Sequence, residues 1–63
     1  MFIRVTDKTD GARVIVNVNN INIIAENKDK NTTILLFKGT NTVLEVEESF
    51  KDFEELFSKI DCN

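Results

Sequence analysis

The sequence predicts an α+β fold: a small curved antiparallel sheet of four to five strands, a meander or partial barrel, with one C-terminal amphipathic helix packed on it. Three observations lead there. Short runs between residues 2 and 47 alternate apolar and polar side chains with a period of two, the mark of strands with one buried face. From Ser49 onward the apolar spacing changes to three and four, the helical period. The connections are two to five residues long, too short for a parallel crossover, so neighbouring strands must be antiparallel.

Each element follows from its residues. In FIRVT, over 2–6, Ile3 and Val5 fall on one face and Phe2, Arg4 and Thr6 on the other. Asp7-Lys8-Thr9-Asp10-Gly11 is rich in turn formers and closes a first hairpin. The second strand, over 12–18, sets Val14, Val16 and Val18 opposite Arg13, Ile15 and Asn17. Asn19-Asn20 then interrupts it as a bulge or tight corner, because Asn tolerates positive φ and hydrogen-bonds its own backbone. The third strand, over 21–26, places Ile21, Ile23 and Ala25 on one face and Ile24 on the other. Asn27 to Asn31 is a polar hairpin loop. The fourth strand, over 32–38, is apolar on both faces from Ile34 to Phe37, as suits a central strand covered on two sides. After the Gly39-Thr40-Asn41 turn, the fifth strand, over 42–47, points Leu44 and Val46 inward and Glu45 and Glu47 outward.

The helix, over 50–60, carries Phe50, Phe53, Leu56, Phe57 and Ile60 as one stripe, with Lys51, Asp52, Glu54, Glu55 and Lys59 opposite. Ser49 is its N-cap, and Asp52 takes the place of the Glu of a capping box. A stripe of this kind is core, here packed over one face of the sheet.

At 63 residues, with 41% hydrophobic and 30% charged, the chain is read as a single domain that folds but has a small core, so a partner or a second copy is expected. One helix covers one sheet face. Phe2, Ile15 and Ile24 then form a self-association face, and a homo-oligomer, with a dimer favoured, is the expected state. Closure of the sheet on itself as a small barrel is the alternative.

Composition removes several chemistries. There is no His and one Cys, at position 62, so neither a Cys/His metal cluster nor a His-activated nucleophile is available. Cys62 has no partner for an internal disulfide and is read as an unreactive thiol near the chain end. Without a signal-peptide pattern or an apolar run of membrane-spanning length, the expected location is the cytoplasm, with no membrane association. Asp7 and Asp10 lack the alternating ligands of a calcium loop, and adjacent Glu54 and Glu55 point about 100° apart on a helix. The chain is read as a non-enzyme with no cofactor.

Charge is uneven: residues 1–42 sum to +2 and residues 43–63 to −5. The acidic set Glu45, Glu47, Glu48, Asp52, Glu54 and Glu55 is a candidate docking face for an unidentified protein partner. Arg4, Lys8, Arg13, Lys28 and Lys30 are the residues of an alternative reading, a small nucleic-acid-binding regulator, disfavoured by the net charge of −3 and the lack of a basic stripe.

Three segments resemble the FlbD/SwrD-type family of small flagellar and swarming-motility proteins. They are Asp10 to Glu26 (DG..V.VNV.NI..I.E), Thr33 to Thr40 (T.ILLFKGT) and Val43 to Phe50 (VLEVEESF). The matching positions are Gly11, Val16-Asn17, Ile21, Ile24, Thr33, Ile34 with Leu36, Gly39, Val46 and Glu48-Ser49. The resemblance covers nearly the whole chain and consists mainly of strand patterning and turns. It implies a bacterial cytoplasmic accessory protein that acts through contacts, with no catalytic residues to carry over.

Overall fold

The computed structural model describes residues 1–60, excepting the side chain of Ile60; Cys62, read above as an unreactive thiol, lies outside the described residues. Five antiparallel strands form two sheets, followed by one helix. β1 (Phe2–Thr6) pairs with β2 (Arg13–Asn17); β3 (Ile21–Asn27), β4 (Thr32–Phe37) and β5 (Val43–Val46) form the second sheet, with β4 in the centre; α1 spans Phe50–Ile60. The α+β architecture expected from the residue periods is the one observed, and β4, apolar on both faces, is the middle strand of the three-stranded sheet.

The turns follow from local chemistry. Gly11 and Gly39 adopt φ of +74° and +71°, the left-handed region in which a Cβ is disfavoured, and Asn31 takes φ of 55° at the end of the β3–β4 loop. Asp7 and Asp10 accept from the backbone N–H groups of Thr9 and Ala12, so both carboxylates are turn locks. Val18–Asn20 is a 3-10 turn capped by the Asn17 side chain, which accepts from the Asn19 N–H. The second strand therefore stops at Asn17, one residue earlier than its alternation suggests, and the corner absorbs the Asn pair.

The two sheets join where β1 runs past Thr6. An isolated bridge pairs Asp7 with Val46, flanked by bonds from Lys8 N to Glu45 O and from Glu47 N to Thr6 O. The strand order is thus β2-β1-β5-β4-β3, bent at the β1–β5 corner, with β2 and β3 at the outer edges. Bending turns the inner faces toward one core of Val5, Val16, Leu35, Val46 and Phe53. The helix lies over that core and contacts β3, and its stripe closes the open side. At its start, Asp52 N donates to Ser49 Oγ and Ser49 N donates to Asp52 Oδ2, each at 3.3 Å, the reciprocal pair of a capping box.

One facial assignment differs from the sequence reading. The β3–β4 register shifts between Ile21 and Ile23, so Asn22 is the extra residue of a bulge. Ile21 and Ile24 therefore lie on the same, inner side and pack on the core, while Ile23 and Ala25 pair with Leu36 and Ile34 on the outer side. Ile24 is not part of a face left bare by the helix: it lines a cleft with Phe50, Phe53 and Phe57, under the helix itself.

Candidate functional site

The outer face of β3-β4-β5 is graded along the strands. At one end, Asn27 and Thr32 are cross-strand partners, and Asn27 Nδ2 and Thr32 Oγ1 both donate to Glu45 Oε2. Ala25, opposite Ile34, fills the middle. At the other end Ile23, Leu36 and Val43 stand in register across three strands, with Ile23 49% and Val43 59% exposed. Cross-strand partners on one face sit about 5 Å apart, so these side chains form a continuous apolar row. Sequence reasoning missed this row. Its only signals were the double-sided apolar character of β4 and a Val at the start of β5.

The outer face of β1-β2 carries a second apolar patch. Phe2, opposite Asn17, and Ile15, opposite Arg4, are diagonal neighbours, 69% and 70% exposed. Arg4 and Arg13 are exposed on the same face, since Arg13 pairs with Thr6. Of the other candidate cations, Lys8 is exposed beyond the β1–β5 corner, and Lys28 and Lys30 are exposed in the β3–β4 loop.

The acidic set divides. Glu48 is half-buried and clamps the corner: Oε1 accepts from the Thr6 N–H at 2.8 Å, Oε2 accepts from Thr6 Oγ1 at 3.0 Å, and its backbone carbonyl accepts from Thr33 Oγ1 at 2.7 Å. Glu45 is held by Asn27 and Thr32, and Asp52 caps the helix. Glu47, Glu54 and Glu55 stay exposed. Six carboxylates drawn from one segment thus separate into three with intramolecular partners and three in solvent.

A cleft of about 150 Å³ opens between β1 and α1. Ile3, Val5, Phe53 and Leu56 form its apolar walls, and Arg4, Glu48 and Asp52 its rim. β1 presents an unpaired edge to it. The bonds Asp7 N to Ala12 O and Val18 N to Met1 O fix which β1 residues face β2, and alternation leaves the backbone groups of Phe2, Arg4 and Thr6 facing away. Thr6 is satisfied by Glu48 and Glu47; Phe2 and Arg4 have no hydrogen-bond partner on that side among the described residues. Among the same residues, no group of three or more His, Cys, Asp or Glu is placed to hold a metal ion. No described helix is long and apolar enough to cross a membrane.

These features define a small α+β protein whose distinctive surfaces are exposed strand faces and one strand edge. No family model, curated protein or solved structure matches the chain.

Proposed function

We propose that the chain is a non-enzymatic protein-protein interaction module of the cytoplasm, an accessory protein that self-associates through the outward face of its sheet. The observation that carries this reading is the in-register row Ile23, Leu36 and Val43, three apolar side chains on a face the helix does not cover. Phe2 and Ile15 extend the apolar outer surface on the second sheet. The carboxylates Glu47, Glu54 and Glu55 are the part of the acidic set that is exposed without an intramolecular hydrogen bond among the described residues. The resemblance to the FlbD/SwrD-type family agrees with an accessory role.

Size sets the strength of the association. Three strands at about 4.8 Å spacing and about 20 Å length offer roughly 300 Å² of flat face, below the roughly 800 Å² per partner of a stable complex. A second copy docked there alone makes a weak, concentration-dependent dimer. Sedimentation across a concentration series tests this. The mass is expected to rise with concentration in the native chain and to stay monomeric in an Ile23→Asp, Val43→Asp variant; a monomer at every concentration in the native chain removes the reading.

A second reading draws on the β1-β2 outer face, where exposed Phe2 lies beside Arg4, with Arg13 on the same face at the far end of the ladder, an aromatic ring with cations as single-stranded nucleic-acid sites use. Fluorescence anisotropy with a labelled single-stranded oligonucleotide at low salt decides it. Binding that weakens in Arg4→Ala, Arg13→Ala supports it, and no anisotropy change at any protein concentration ends it.

A further inference from the structure

We infer that the cleft between β1 and α1 is a binding site for an extended peptide, added as a strand to the β1 edge, with an apolar side chain in the cleft and a basic residue two positions away. The geometry begins with β5. It runs antiparallel beside the end of β1, pairing through Lys8, Asp7 and Thr6, and then leaves for the helix at Glu48. Its path, continued, would run opposite Arg4 and Phe2, whose backbone donors and acceptors face outward without a partner among the described residues. Strand addition at an exposed edge draws affinity from such groups and specificity from pockets for alternate side chains.

The pocket for the alternate side chain is present. Inner-facing residues of an added strand lie beside Ile3 and Val5, over the walls made by Phe53 and Leu56. The cleft, at about 150 Å³, suits one Leu-sized or Val-sized group. Residues two positions away project to the same side. There they meet Glu48 and Asp52, whose carboxylates give the rim a net negative charge despite Arg4 and sit in the chain segment that sums to −5. A Lys or Arg at that position complements the rim, whereas an acidic residue is repelled. Glu48 and Asp52 are anchored by Thr6 and Ser49, so the charge is fixed in place before a ligand arrives.

This site rests on the reading of the chain as an interaction module but not on self-association. A monomer that binds the peptide would refute self-association alone, and an oligomer that does not bind it would refute this site alone. The probe is the synthetic peptide TKTLTKT, blocked at both ends, in which Leu lies between two Lys on the same side of an extended strand. It is titrated into the isotope-labelled full-length chain and followed by amide chemical shifts and hydrogen exchange. The expected result is saturable shifts at Phe2, Arg4 and Leu56, with exchange protection gained at the Phe2 and Arg4 amides.

Three modified peptides leave the protein unchanged. In an antiparallel strand whose Leu faces the cleft, the Thr residues beside it bond the β1 edge, and the Leu N–H faces away. N-methylation of both central Thr residues is expected to weaken binding at least about tenfold, and N-methylation of Leu to leave it within about twofold. Replacing both Lys by Glu is likewise expected to weaken it at least about tenfold. No shift at millimolar peptide overturns the proposal, as do shifts confined to Ile23, Leu36 and Val43, or equal binding by all the peptides. Shifts at Phe2 and Arg4 that depend on protein concentration without peptide also overturn it, assigning the edge to a second copy.

Discussion

Glu48 joins the two sheets, and its removal should open the corner between them. Glu48→Ala deletes acceptors for the Thr6 N–H and Thr6 Oγ1, at 2.8 and 3.0 Å, and leaves the Thr6 N–H facing the gap where β5 turns away. A hydrogen bond to a charged group is worth about 1.5–3 kcal/mol, and partial solvent access at this half-buried site lowers that figure. The expected loss for the pair is about 2 kcal/mol. In a domain of this size each kcal/mol shifts the melting temperature by about 4–8 °C, so the variant should melt about 8–16 °C lower. Glu48→Gln keeps one acceptor for the N–H and presents an amide donor to the Thr6 hydroxyl, which can rotate to accept. It should lose about 1 kcal/mol or less.

Urea denaturation of Glu48→Ala, Thr6→Val and the double variant isolates the side-chain part of this clamp. Thr6→Val removes the Oγ1 bond and keeps the N–H bond, so the expected coupling is about 1 kcal/mol. Hydrogen exchange adds a local readout: the Thr6 amide should lose protection in Glu48→Ala, while the Val5 amide, inside the β1-β2 ladder, should lose less. A Glu48→Ala variant within about 0.5 kcal/mol of the native chain, with unchanged Thr6 exchange, would refute the clamp.

Phe53, 4% exposed at the centre of the core, should cost about 3–5 kcal/mol as Phe53→Ala; since a chain of this length has about 3–9 kcal/mol in total, far-ultraviolet circular dichroism is expected to show a large unfolded fraction at 37 °C. Ser49→Ala should lower helix and protein stability by about 1 kcal/mol, and adding Asp52→Ala should cost less than the sum of the two alone, because they form one reciprocal box; a set of thermal melts measures both. Ile15→Asp should leave stability within about 0.5 kcal/mol, whereas Ile24→Asp, which buries a charge under the helix, should cost more than about 3 kcal/mol; equal melting temperatures for the two would contradict the placement of Ile24 on the core side.

The parts of this fold that were legible in the sequence are those decided by neighbours along the chain. β1 alternates over five residues, and the side of Ile3 and Val5 is the core side. β4 is apolar on both faces and is the central strand. The helix begins after Ser49 because its cap residues and its apolar period agree on the same boundary. In β3 the same logic misled, because strict alternation assumes an uninterrupted pleat. Asn22 adds one residue against β4, and every apolar side chain before it changes sides relative to those after it. The one polar residue among positions 21–25, Asn22, is the bulged residue itself, so under strict alternation it marks the wrong phase.

The carboxylates were less legible than the strands, for a reason of distance along the chain. Glu45, Glu47, Glu48, Glu54 and Glu55 are the same residue type within one short segment, and composition groups them all as one acidic face. What separates Glu48 from Glu47 is Thr6, 42 residues away, brought beside it only when β1 pairs with β5. What separates Glu45 is Thr32, 13 residues away, across the β4–β5 pair. Local pattern sets which side of a strand a residue occupies; tertiary pairing sets whether a polar residue on that side finds a partner. The same pairing makes the β1 edge. Glu47 and Glu48, just past β5, satisfy Thr6 before the chain turns into the helix, and that step leaves the backbone groups of Phe2 and Arg4 without a partner among the described residues.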